Sequence, residues 1–179
     1  MRVNKKNKQG CEYSFIIDAM LGDLAKWLRL LGFDTLYFSS ISDDKLTQKM
    51  HETKRILLTS DRQLHSSIKE KNNVIFVPVK LSTSEKLKIV FSKLGITKDC
   101  LDSLVGTRCV YCNDKLIRVI NKEEVRILIS KYNIKEIPYD FNQVKDFWFC
   151  PNCKKLYWKG RMWKRIEKTI KQIFIQEVK

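Results

Sequence analysis

No apolar run in the 179 residues approaches the ~20 that a membrane span requires. The opening residues, Met1-Arg2-Val3-Asn4-Lys5-Lys6, lack the apolar segment of a secretory signal. A soluble, cytoplasmic protein with no membrane partner is therefore expected. Thiols stay reduced in that compartment, so paired cysteines read as metal ligands before disulfides. Histidine is scarce: His51 and His65 are the only two. Neither has a partner His or Cys at ligand spacing, so neither is assigned to a site. Internal repeats and low-complexity tracts are also absent, which excludes solenoids and repetitive linkers.

Acids are the scarcer charge, 20 against 35 Lys and Arg, for a net charge of +15. The excess sits at the ends. Residues 1–13 hold four bases and one acid, and residues 154–179 hold nine and two. Clustered Lys and Arg suit a phosphate backbone, which releases counterions when they bind. A hydrophobic fraction of 44% and an aromatic fraction of 11% describe a globular chain of one or two domains.

Four strand-like runs alternate with four helical ones over the first 95 or so residues. Residues 14–18 are continuously apolar, as in a strand buried on both faces, and end on Asp18. Leu21, Leu24, Ala25, Leu28 and Leu31 then recur at helical spacing, with Asp23, Lys26 and Arg29 outside the stripe and Gly32 as the stop. Residues 35–38 form strand two. Ser42 reads as an N-cap, with Asp43 and Asp44 in the first turn of the next helix. Strand three, residues 55–60, ends at Asp61 before a helix over 62–69. Strand four is 74–77, followed by a helix over 83–94. This order predicts a parallel sheet with helices on both faces, reactive at the carboxyl ends of its strands. Asp18 and Asp61 lie at that edge, with Asp43 and Asp44 beside it. Such acids suit a Mg²⁺ or Mn²⁺ site, because hard cations take carboxylate oxygens. Helix initiation by Asp43 and Asp44 and capping by Asp61 remain equally open readings.

The pattern changes after about residue 100. Cys109-Val110-Tyr111-Cys112 and Cys150-Pro151-Asn152-Cys153 are two C-x-x-C pairs. Each turn can aim two sulfurs at one ion, so together they predict a closed, structural Zn²⁺ site. A helix over 121–131 is inserted between them. Cys11 is not read as a ligand, and Cys100 reads as a buried thiol. Residues 154–165 interleave bases and rings. Lys154, Lys155, Trp158, Lys159, Arg161, Trp163, Lys164 and Arg165 are candidates for gripping RNA by charge and stacking. Packing of Tyr157 and Trp158 into the zinc module is the alternative use of those rings. Residues 161–175 read as a basic helix with Met162, Ile166, Ile170 and Phe174 as its stripe.

Residues Asp18-Ala19-Met20-Leu21-Gly22, the run from Leu24 to Thr35, Ile41-Ser42-Asp43-Asp44, Ile56 to Arg62, both C-x-x-C pairs and Tyr157-Trp158-Lys159-Gly160 together resemble one known family. It is the PIN-like ribonuclease domain found at the C-terminus of Mut-seven exonucleases and also as free-standing proteins. The resemblance covers about residues 14–165. It implies a three-layer α/β/α PIN-like domain followed by a zinc ribbon. It further implies Asp18, Asp43 and Asp61 as metal-binding acids, with Asp44 as helper, and metal-dependent RNA cleavage. Two positions depart: Ala19 stands where many such proteins carry a second acid, and Asp23 where a base is common. Asp23 and Asp34 are the remaining candidates for a fourth carboxylate.

The resulting expectation is a basic arm at 1–12, a nuclease domain at 13–100, a zinc ribbon at 101–160 and a basic helix or tail at 161–179. The expected activity is endoribonucleolytic, with catalytic Mg²⁺ or Mn²⁺, one structural Zn²⁺ and no small-molecule cofactor. A non-cleaving RNA-binding module in ribosome assembly or RNA processing is the first alternative, and a DNA-directed nuclease or zinc-ribbon transcription accessory protein the second.

Overall fold

The protein is described by a computed structural model covering residues 12–174. The expected basic arm up to residue 11, with Cys11, and residues 175–179 lie outside the described residues.

Four strands, β1 (Ser14–Ile17), β2 (Asp34–Tyr37), β3 (Ile56–Thr59) and β4 (Val74–Phe76), form a parallel sheet in the order β2-β1-β3-β4. A 3-10 turn (Ala19–Leu21) and α1 (Gly22–Leu30) follow β1. Then come α2 (Asp43–Thr53), α3 (Arg62–Ser67), α4 (Thr83–Leu94) and a short α5 (Lys98–Asp102) that the sequence pattern did not predict.

The central strand fixes the layers. Phe15, Ile16 and Ile17 are fully buried, and successive side chains point to opposite faces. Phe15 and Ile17 join Leu21, Leu24, Leu28, Leu87, Val90 and Phe91, so α1 and α4 cover one face. Ile16 joins Leu46, Met50, Leu64 and Ile68, so α2 and α3 cover the other. The result is the expected three-layer α/β/α arrangement. Gly32, just past α1, has φ of +91°, and a Cβ there would lie 1.9 Å from the Leu104 carbonyl oxygen. Only glycine permits both the turn and that approach.

A second, antiparallel sheet has the order β5-β6-β7, from β5 (Ile117–Val119), β6 (Phe147–Phe149) and β7 (Leu156–Trp158). Helix α6 (Lys122–Tyr132) is inserted between β5 and β6 and packs on Val119, Phe147, Phe149 and Leu156 through Val125.

Helix α7 (Arg161–Phe174) returns to the first core. Ile166 and Ile173 are buried there, with Trp163, Ile170 and Phe174 packed against it. Met162, expected to head the stripe, is half exposed; the buried row is Ile166, Thr169 and Ile173, with Ile170 partly buried beside it. Arg29, expected outside the α1 stripe, is buried because the second module covers that face. Cys100 is half-buried and disulfide-bonded, not a thiol. Among the described residues, no helix is long and apolar enough to cross a membrane.

Candidate active site and metal centre

The register of β1 against β3 pairs Ile17 with Leu58, which sets Asp18 level with Thr59. Asp18 Oδ2 accepts from Thr59 Oγ1 at 2.9 Å, from the Ser60 N–H at 3.2 Å and from Ser60 Oγ at 3.4 Å. Asp18 Oδ1 accepts from the Met20 N–H at 3.1 Å, capping the 3-10 turn. The Thr59 hydroxyl in turn accepts from the Asp61 N–H at 3.0 Å. A hydroxyl can donate and accept together, so the buried Thr59 hydroxyl links the Asp18 carboxylate to the Asp61 backbone N–H. Asp61 Oδ1 accepts from the N–H groups of Gln63 and Leu64, at 2.6 and 3.0 Å, and caps α3.

The turn after Asp18 is held from β2. Tyr37 Oη donates to the Ala19 carbonyl at 3.1 Å. A Cβ on Gly22 would lie 2.8 Å from the Tyr37 hydroxyl oxygen, so a side chain there would push that ring aside. Asp43 and Asp44 are exposed in the first turn of α2. With Thr47, Gln63, Leu64 and Ser67 they line an open cleft of about 450 Å³ beside α3. Ser42 occupies the N-cap position, but its side chain makes no capping bond.

Asp18 and Asp61 are thus tied together, with Asp43 and Asp44 beside the helix that Asp61 caps. Among the described residues, no three of these carboxylates bring ligand oxygens within 4.8 Å of one another. Carboxylate oxygens are the donor type that a hard cation such as Mg²⁺ takes. Neither candidate fourth acid joins them. Asp23 pairs with Lys86 at 2.9 Å, and Asp34 lies at the opposite end of its strand, bound to Arg55 and Arg108. His65 sits one turn beyond Asp61, its ring against Phe76.

The four cysteines form a compact cluster, with all four sulfurs within 4.8 Å of one another. Cys109–Cys153 and Cys112–Cys150 sulfurs are 3.2 and 3.4 Å apart. A tetrahedral zinc–thiolate site has S···S near ~3.8 Å, so the cluster could hold a zinc ion with a small expansion. The two turns have matching backbones. Cys109 N–H donates to Asp114 O, and Cys150 N–H to Lys155 O. Asn113 and Lys154, each directly after a second cysteine, both take positive φ, 73° and 56°. Burial raises the Cys109 thiol pKa. The N–H groups of Cys112 and Tyr111, with Tyr157 Oη and Cys153, outweigh burial and lower it to about 7. Those donors are suited to a thiolate ligand. Tyr157 Oη lies 3.0 Å from Cys109 Sγ.

The cysteine module is locked to the parallel-sheet unit by polar contacts. Arg29 Nη1 donates to the carbonyls of Val110 and Tyr111, at 3.1 and 2.8 Å. Asn113 accepts from the Thr35 N–H at 2.9 Å and donates to Asp34 Oδ1 at 2.8 Å. Burial alone would raise the Asp34 pKa. Hydrogen bonds from Arg55 and Asn113 and the charges of Arg108 and Arg55 hold it below the ordinary value.

Of the basic C-terminal candidates, Lys154, Lys159, Arg161, Lys164 and Arg165 are exposed, and Lys155 is half-buried. Trp158 packs against the core of the second module, and Trp163 stacks on Trp148 at 5.8 Å and 5°. Both rings therefore contribute to packing. Thr59, Tyr37, Arg29 and Asn113 escaped the sequence reading. Their only signals were a threonine two residues before an acid and an asparagine next to a C-x-x-C pair.

The family model for the Mut7-C RNAse domain matches residues 13–170. No curated protein matches the chain.

Proposed function

This chain belongs to the Mut7-C RNase domain family, and from that premise we propose that it is a metal-dependent endoribonuclease. RNA as the substrate class follows from the family; the cation and the internal mode of cleavage are our reading of the site. The observation that carries it is the Thr59 bridge between Asp18 and Asp61 at the ends of adjacent parallel strands.

In this reading Asp18, Asp61 and either Asp43 or Asp44 hold Mg²⁺ or Mn²⁺. Asp61 Oδ1 also accepts from the N–H groups of Gln63 and Leu64 in the α3 cap, which would hold the carboxylate in place. A cation held there would supply an activated water and charge relief at the leaving oxygen. Thr59, Ser60 and the Met20 N–H hold Asp18 in place, so little reorganisation accompanies the reaction. The zinc ribbon and the exposed bases of 154–165 position RNA through its phosphates.

Cleavage of labelled RNA by wild type and Asp18→Asn, with and without Mn²⁺, tests this. Only wild type with metal should cut, and Asp18→Asn should still bind RNA. Equal cleavage by both, in nuclease-free preparations, refutes it. Parallel assays on DNA separate out a DNA-directed enzyme.

A second reading is an RNA-binding module without turnover, acting in ribosome assembly or RNA processing. It draws on the absence of a three-carboxylate cluster among the described residues and on Ala19 at the departing position. It predicts salt-sensitive RNA binding with no metal-dependent cleavage.

A further inference from the structure

A cleft of about 720 Å³ lies where the second module meets α1 and α7. Its walls come from the first cysteine turn, β7, the start of α7 and the 136–140 loop. Four apolar side chains on it are left open: Tyr139 is fully exposed, Tyr111 60%, Met162 50% and Ile137 48%. Isolated exposed apolar residues are ordinary, but several lining one concavity mark a binding site.

The surrounding charge indicates the occupant. Lys155 and Arg161 line the cleft, and Lys155 Nζ sits 4.4 Å from the centre of the Tyr111 ring. Lys154, Lys159, Lys164 and Arg165 are exposed on the flanking segments. Open rings bordered by Lys and Arg suit a chain of flat bases joined by phosphates. Glu136 and Asp140 also line the cleft. Carboxylates there repel phosphate and accept from base amino groups, which favours a base inside and the backbone along the basic side.

Helix α1 connects this cleft to the acids. Asp18 precedes its first turn, and Leu30, its last residue, lines the cleft. At 1.5 Å rise per residue the two ends are ~12 Å apart. Lys26, one turn before Leu30, is exposed between them.

We propose that the cleft bounded by Tyr111, Tyr139 and Met162 is a stacking subsite for unpaired bases of the RNA substrate. This deepens the ribonuclease reading and rests on it. It gives the enzyme a preference for single-stranded RNA long enough to span α1.

The test uses the full chain carrying Asp18→Asn, so that binding is read without cleavage. The probes are a fluorescent single-stranded RNA of about a dozen nucleotides and the same sequence as a duplex. Tyr139→Ala and Tyr111→Ala should each weaken single-strand binding about 5- to 100-fold and leave duplex binding unchanged. Tyr139→Phe should bind as the parent, because the ring face and not the hydroxyl makes the contact. With Asp18 restored, Tyr139→Ala should raise KM and leave kcat within about twofold. Parent-like single-strand affinity in both alanine variants overturns the proposal and leaves the cleft to a protein partner. Equal losses on single strand and duplex overturn it too. Absence of cleavage in the wild type, with Tyr-dependent binding intact, instead refutes the nuclease reading and retains the subsite.

Discussion

Replacing Asp34 with alanine should loosen the joint between the two modules. Its carboxylate accepts from Arg55 Nη1 at 2.7 Å and Asn113 Nδ2 at 2.8 Å, and pairs with Arg108 Nη2 at 3.3 Å. The Asp34 side chain is 30% exposed, and those of Arg55 and Arg108 are 14% and 17% exposed. Exposed pairs contribute up to ~1 kcal/mol, and breaking a buried one costs ~3–5 kcal/mol. The partial exposure of Asp34 places this network between them, at about 2–3 kcal/mol, because two largely covered guanidiniums lose their counter-charge. At ~2–4 °C per kcal/mol for a chain of this size, Tm should fall by about 5–10 °C. Thermal unfolding followed by circular dichroism on the zinc-loaded protein reads it.

The pH dependence has a definite sign. The folded-state pKa of Asp34 is lowered, so its stabilisation is present above the unfolded value of ~3.9 and is lost as pH falls through the folded value. The Tm gap between wild type and Asp34→Ala should therefore hold from about pH 7 to pH 5 and narrow as pH falls below the unfolded value of ~3.9. A gap under about 1 °C at pH 7, or one that widens in acid, would refute the role assigned to this network.

Thr59→Val keeps the shape but leaves Asp18 Oδ2 and the Asp61 N–H each short of a partner. It should lower metal-dependent activity about 10- to 100-fold and raise the Mn²⁺ concentration for half-maximal rate; an unchanged metal response contradicts the bridge. Cys150→Ser should abolish the bound zinc, about one ion per wild-type chain, and expose the second module to limited proteolysis. Full zinc content in that variant, by metal analysis, would remove the four-sulfur site.

The sequence made the first sheet legible because its signals are local. Buried parallel strands read as apolar runs, and Asp18 and Asp61 each follow one. The cysteine pairs were equally plain, since a turn of fixed length brings both sulfurs together. What escaped depends on contacts far apart in the chain. The stripe on α7 could serve a tail or a core helix; only the fold shows Ile166 and Ile173 against α1 and α4. Arg29 reads as a surface base until Val110 and Tyr111 carbonyls, some 80 residues on, cover it. The bases and rings of 154–165 suit RNA from sequence alone, with packing of Tyr157 and Trp158 into the zinc module an equally open use of the rings. The fold divides them, with Trp158 and Trp163 packed inward and the exposed bases left outside.

Metal-dependent cleavage at Asp18 is most directly tested by one comparison. Labelled RNA is incubated with wild type and with Asp18→Asn at matched Mn²⁺ concentration, and RNA affinity is measured for both. Wild type should generate internal fragments that vanish on chelation, while Asp18→Asn binds RNA at least as tightly and generates none. Fragments from Asp18→Asn at the wild-type rate would place the chemistry elsewhere.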